Sequence, residues 1–266
     1  MNLRTRFRRL AVPAVAAFAL LTAACGSGST TSSSTTTTKV AVTGNLSVFA
    51  AASLTGAFND AKAKLTAANP GLNLTYNFAG SNALVAQIQQ GAPADVFASA
   101  DQKNMQTLIT AGLVEAPVTF ARNKLQIAVA AGNPKGITGL ADLAKAGVTV
   151  VLEAPGVPAG DYTRQVLAAK GITVTPKSLE TDVKSALAKV TTGEADATVV
   201  YVTDVTAGGP KVQGVSIPDA DQPQISYPIA VVKATKNHFA AQAFVDSALS
   251  GDVQKSLEAA GFSAPK

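Results

Sequence analysis

From residue 44 onward, short apolar runs alternate with stretches whose apolar residues recur at helical spacing, which restricts the chain to a few layered folds. Residues 46–51 read as a buried strand. Leu54, Phe58, Ala61 and Leu65 then fall at intervals of four, three and four, one face of a helix. Leu72, Leu74, Tyr76 and Phe78 alternate with polar residues, the two-residue period of a strand. A helix through Leu84 and Ile88 stops at Gly91. Residues 94–100 form the next strand, and Asp101 opens a helix ending at Gly112. Three strand–helix units in series predict a parallel sheet with helices on both faces.

A second series begins with the strand 125–130. It continues with a short helix near 138–146, a strand over 148–153, helices over about 160–170 and 182–192, and strands over 197–202 and 212–218. A strand over 226–232 follows, then two helices, one carrying Phe239, Ala243 and Phe244 and the other Val253 and Leu257. Two α/β lobes of about 100 residues each fit this length.

The N-terminus is of another kind. Arg4, Arg6, Arg8 and Arg9 precede an apolar run, Leu10–Ala24, that is too short to span a bilayer comfortably and ends in small residues. These features predict a signal segment over 1–24. Ala23, Ala24 and Cys25 resemble a lipobox, with Thr22 where an aliphatic residue is usual, so Cys25 is the expected acylation site. Residues 26–38 are all Gly, Ser or Thr and can bury no apolar surface; residues 25–43 read as an acylated Cys on a flexible tether. The expected location is the extracytoplasmic face of the cell membrane, held by the lipid.

Charge and composition exclude several functions. Without the four N-terminal arginines, the 22 Lys and Arg fall to 18 against 17 Asp and Glu, so the body is nearly neutral and gives no footing for nucleic acid. One Cys and one His exclude an internal disulfide framework and a Cys/His zinc site. A serine hydrolase would have to pair a residue such as Ser53 with His238, with no G-x-S-x-G elbow; His238 reads instead as a solvated residue at a helix start. No catalytic residue, cofactor or side-chain-coordinated metal is expected. An interaction lipoprotein with an empty cleft is a further reading.

In open α/β sheets, ligands sit beyond the carboxyl ends of strands, at helix N-termini. Here those corners carry Ser53, Ser81, Pro155–Gly160, and Asp182–Val183, with Tyr201 ending a strand. They offer backbone N–H groups, hydroxyls and little bulk, a chemistry suited to anions without Lys or Arg. Lys184 is expected to point outward, and Asp182 to cap its helix while leaving the Val183 N–H free. Each corner alone reads equally as an ordinary helix cap.

The segments VFAAASL (48–54), FAGSNAL (78–84) and GAPADVFASADQKNM (91–105) closely resemble the molybdate-binding proteins of ABC importers. So do VPAGDY (157–162), DVKSAL (182–187), VVYVTD (199–204) and YPIAVV (227–232), in collinear order over about 45–265. The resemblance implies a two-lobed type II periplasmic-binding-protein fold. Each α/β lobe is a mixed, mostly parallel sheet flanked by helices, with a ligand cleft between them. It implies lobe 1 over 44–122 plus 222–266 and lobe 2 over 123–221, the C-terminal helices completing the first lobe. Carried over by position, an oxyanion is held by the Ser53 and Ser81 hydroxyls, the Ala159 and Val183 N–H groups and the Tyr201 hydroxyl. Gly80 stands where the family often has Ser. The implied ligand is molybdate, with tungstate alongside, and the implied partners are an importer's permease and ATPase, served by a monomer. Sulfate or phosphate is the alternative cargo. A protonated oxyanion wants an acceptor, usually a carboxylate, and none of these five positions supplies one.

Overall fold

The computed structural model describes residues 41–265. The predicted signal segment, Cys25 and the tract 26–38 lie outside the described residues.

The first part of the chain runs β1 (Gly44–Ala51), α1 (Thr55–Ala68), β2 (Leu72–Ala79), α2 (Ser81–Gln89), β3 (Val96–Ala98), α3 (Gln102–Thr110) and β4 (Val118–Asn123). The middle runs β5 (Leu125–Ala130), β6 (Leu152–Glu153), α4 (Pro158–Ala169), β7 (Leu179–Glu180), α5 (Val183–Thr191), β8 (Ala197–Tyr201), α6 (Val202–Gly208) and β9 (Val212–Ser216). The chain ends with β10 (Ile225–Val231), α7 (His238–Ser250) and α8 (Asp252–Ala259).

Five strands form the first sheet in the order β2-β1-β3-β10-β4. β1 is parallel to β2 and β3, and β10 runs antiparallel to β3 and β4. The alternation of a strand divides the apolar residues between two faces. Val48 and Ala50 face a core with Phe58 and Phe244; Phe49 and Phe97 face a separate core with Leu84, Ile88, Met105 and Leu108. Burial on both faces is why these strands read as continuous apolar runs. Phe58 is fully buried and meets Phe244 edge-on at 5.4 Å, tying α1 to α7. α8 packs on α1 and α7, with Ser256 Oγ donating to Asp60 Oδ2 at 2.6 Å. The C-terminal helices thus lie on the sheet whose corner bears Ser53.

In the second sheet β5 is central and antiparallel to both β8 and β9. Parallel pairing here lies in a separate two-stranded sheet, β6 with β7, and a parallel bridge joins Val150 to Ala197 ahead of β8. The strand expected over 148–153 is regular only at Leu152–Glu153, because its first half bonds along Asp196 and Ala197, where β8 is only beginning. The helix expected near 138–146 is a 3-10 turn over Leu140–Ala144. Asp142 accepts from both the N–H and the hydroxyl of Thr138, and the chain leaves at Gly147 with φ 80°.

β4 has no counterpart in the sequence reading. It is an edge strand whose polar Thr119, Arg122 and Asn123 break the apolar run, and its pairing comes from β10, about a hundred residues away. Only Lys124 separates it from β5. The return connection runs beside it: Gln222 accepts from Leu125 N at 2.9 Å and donates to Leu125 O at 2.8 Å, and Ile225 pairs with Asn123. Pro228 sits at a register shift in β10, where the missing N–H costs no regular ladder bond.

Candidate functional site

Six stretches of chain at strand ends and helix starts meet at one gap between the sheets. On the first-sheet side the chain leaves β1 through Ala51, Ala52 and Ser53, leaves β2 through Ala79, Gly80 and Ser81, and passes Ala100 after β3. On the other side lie Val157, Pro158 and Ala159 opening α4, Asp182 and Val183 opening α5, and Tyr201 ending β8. The structure therefore brings Ser53, Ser81, Ala159, Val183 and Tyr201 into one small cavity of about 10 Å³. Pockets for organic ligands are far larger, roughly 300–1,000 Å³. The space suits a small ion.

The local sequence decides what each corner presents. Pro158 is the first residue of α4 and brings no N–H, so Ala159 supplies the first donor of that helix. At α5, Asp182 is the N-cap: its Oδ1 accepts from Lys184 N at 2.8 Å and Ser185 N at 3.0 Å. That leaves the N–H of Val183, the first helical residue, without an intrahelical acceptor. Ser81 opens α2, and its Oγ accepts from Ala100 N at 3.0 Å, so its own proton is free to turn into the cavity. Ser53 Oγ lies 3.0 Å from the buried Tyr227 hydroxyl. The Tyr201 hydroxyl is buried and has no protein partner. Burial holds the Tyr201 phenol well above its ordinary pKa, so it remains a proton donor.

Among the described residues, no Lys, Arg or His lines the cavity. Its positive potential comes from helix N-termini and N–H dipoles. Lys184, expected to point outward, instead reaches the buried Asp204, Nζ to Oδ1 at 2.8 Å, because an uncompensated buried carboxylate attracts the nearest cation. Burial raises the Asp204 pKa against the pull of Lys184, and its Oδ2 accepts from Tyr201 N at 3.3 Å. Glu153, which ends β6, is fully buried with no partner for either oxygen, and burial pushes its carboxyl up to about 8.

The two sides also touch directly. A Cβ on Gly80 would lie 2.5 Å from Thr181 O across the gap and 2.8 Å from Asn82 Oδ1. Asn104, on α3, donates to Gly156 O at 3.2 Å. Gly156 has φ 89°, a left-handed turn that favours glycine, and its N–H is held by Asp161 Oδ1 at 2.9 Å. Lys103 Nζ reaches Asp161 Oδ2 at 2.9 Å.

Sequence reasoning missed Ala100, Tyr227, Asn104 and the Gly80–Thr181 approach. Each acts through a partner remote in sequence. For Gly80 alone there was a signal, its replacement of a customary Ser. His238 opens α7, is exposed, and pairs with Glu115 at 2.9 Å, outside the cavity. Ser53 therefore has Tyr227, not an imidazole, for its neighbour.

Comparison with known proteins places this geometry. A family model described as bacterial extracellular solute-binding protein matches residues 46–263. The molybdate-binding protein ModA of Mycobacterium tuberculosis is 43% identical over 243 residues, 91% of this chain and 92% of that protein. The protein of the same name from Escherichia coli is 34% identical over 215 residues, 76% of this chain and 82% of that one. The Azotobacter vinelandii periplasmic molybdate-binding protein superposes with a TM-score of 0.72 at 22% identity, covering 83% of this chain and 100% of that one, a likeness of fold. The chain belongs to the bacterial extracellular solute-binding proteins and has their two-lobed α/β fold.

Proposed function

We propose that this chain captures molybdate, and tungstate with it, outside the cell membrane and hands it to the permease and ATPase of an ABC importer, without catalysing a reaction. The observation that carries this reading is the donor-only cavity. Ser53, Ser81, Ala159, Val183 and Tyr201 converge on a small space whose lining carboxylate, Asp182, is already engaged by Lys184 N, Ser185 N and Ser185 Oγ. A tetrahedral dianion with no proton to give matches such a wall. A protonated oxyanion would leave its own donor unpaired. The names of the relatives point to the same cargo. Each donor to a charged oxygen contributes about 1.5–3 kcal/mol.

The lobes are 44–122 with 222–266, and 123–221. A ligand touching donors on both bonds fully only when the gap is shut, so it favours the closed state. One copy carries the complete donor set, which supports a monomer. The signal segment 1–24, acylation at Cys25 and the tether to residue 43 would hold the body on the extracytoplasmic membrane face.

Calorimetric titration with molybdate, tungstate, sulfate and phosphate tests the reading. Molybdate and tungstate should bind, and the Ser53→Ala/Ser81→Ala double variant should lose on the order of a thousandfold in affinity. A preference for sulfate or phosphate, or an unaffected double variant, refutes it. Cys25→Ala should release the protein from membranes, and unchanged retention would rule out the anchor.

A further inference from the structure

A serine hydroxyl has one proton and two lone pairs, so what fills its lone pairs decides which end faces a ligand. At Ser81 the matter is settled by a group that can only donate: Ala100 N–H points at Ser81 Oγ from 3.0 Å, leaving the serine proton free. Ser53 has no such amide. Its buried partner is the Tyr227 hydroxyl at 3.0 Å, and that contact allows two polarities. If Ser53 donates to Tyr227, its lone pairs face the cavity and repel an anion. If Tyr227 donates to Ser53, the serine proton is released toward the anion. A fully ionised oxyanion only accepts, so only the second polarity attracts it.

Tyr227 is built to be that fixed donor. It lies on β10, does not line the cavity, and is fully buried. Its ring is held edge-on by Phe262 at 5.4 Å, by Phe120 at 6.3 Å and by Tyr201 at 5.7 Å. Burial raises its pKa well above the ordinary phenol value, so the proton stays on oxygen. We propose that Tyr227 is a positioning residue for the oxyanion: it donates to Ser53 Oγ from behind the site and so turns the Ser53 proton into the cavity, as Ala100 N–H does for Ser81. The role rests on the oxyanion-binding reading above.

Tyr227→Phe keeps the ring and removes only the hydroxyl. A double-mutant cycle with Ser53→Ala separates positioning from packing. With the full chain purified in detergent and molybdate as the probe, Tyr227→Phe should raise Kd about tenfold in the wild-type background. The same change should matter less than about twofold when Ser53 is already Ala, yet keep its tenfold effect when Ser81 is Ala. Binding of hydrogen phosphate, which can donate to a reoriented Ser53, should weaken less than that of molybdate. Equal losses with and without the Ser53 hydroxyl, or no loss in the wild-type background, overturn the role of Tyr227 while leaving the oxyanion reading intact. Failure of the wild-type protein to bind molybdate overturns both.

Discussion

The two sides of the cavity do the same job with different chemistry. The first sheet offers hydroxyls, Ser53 and Ser81, each hydrogen-bonded to a partner from its own sheet system: Tyr227 on β10 and Ala100 N after β3. The second offers main-chain N–H groups at the starts of α4 and α5, and one phenol. The first side is therefore encoded in side chains, whereas much of the second is encoded in where helices begin. The interiors differ as well. On the first side the buried Asp101 carboxyl accepts from Asn104 N and Asn104 Nδ2, whereas on the second side the buried Glu153 carboxyl has no partner for either oxygen. Such groups cost stability unless a proton or a partner neutralises them.

The sharpest way to break this comparison is at Val183. Proline is tolerated as the first residue of a helix, and Asp182 is already extended at φ −166° and ψ 170°, as a residue before proline prefers. Val183→Pro should therefore fold yet delete one donor, weakening molybdate binding by about 1.5–3 kcal/mol, or roughly 10- to 100-fold. Val183→Ala should cost little affinity by comparison. If calorimetry finds the two variants alike, the second side is not a main-chain site.

Gly80→Ala tests whether the sides must meet. The new Cβ would press on Thr181 O, a backbone atom that cannot swing away, and so hold the gap ajar. Affinity should fall about tenfold as the cross-gap bonds lengthen, with the melting temperature of the unliganded protein little changed. Unaltered affinity would show that contact at this rim is incidental.

The smallest effect on affinity is expected at Glu153, which does not line the cavity and whose readout is stability. Its folded pKa of about 8 lies above the ordinary 4.5, so between these values the folded chain carries a proton that the unfolded chain has lost. Stability contributed at this position therefore falls as pH rises from 4.5 through 8. Glu153→Gln does not titrate, so its melting temperature should gain on the wild type across that window, most by pH 8. A difference that stays flat between pH 5 and 8 would mean that Glu153 is not held neutral.

Much of this arrangement was legible from residue order because its causes are local. A continuous apolar run marked β1, a period-two run marked β2, and Gly91 and Gly112 marked helix ends. The five candidate binding residues stand within a residue or two of a strand end or helix start, where short-range rules apply. What escaped the reading is long-range. β4 owes its existence to β10 and carries too many polar residues to announce itself. Tyr227 meets Ser53 across 174 positions, and its apolar surroundings read as ordinary core. Lys184 turns inward because Asp204 is buried behind it, which no local pattern discloses.

The crossing between the sheets has a mechanical consequence. Asn123 and Ile225 are paired on one side of it, Gln126 and Ser216 on the other, and Gln222 bonds both main-chain groups of Leu125 between them. The outgoing chain is extended, the return chain turns through Asp219–Asp221, and the Gln222 side chain ties the two together, so the crossing is a thin link, stiff against stretching but compliant across its thin dimension. On the proposed closure, that one soft direction sets the arc along which the donors on either side meet.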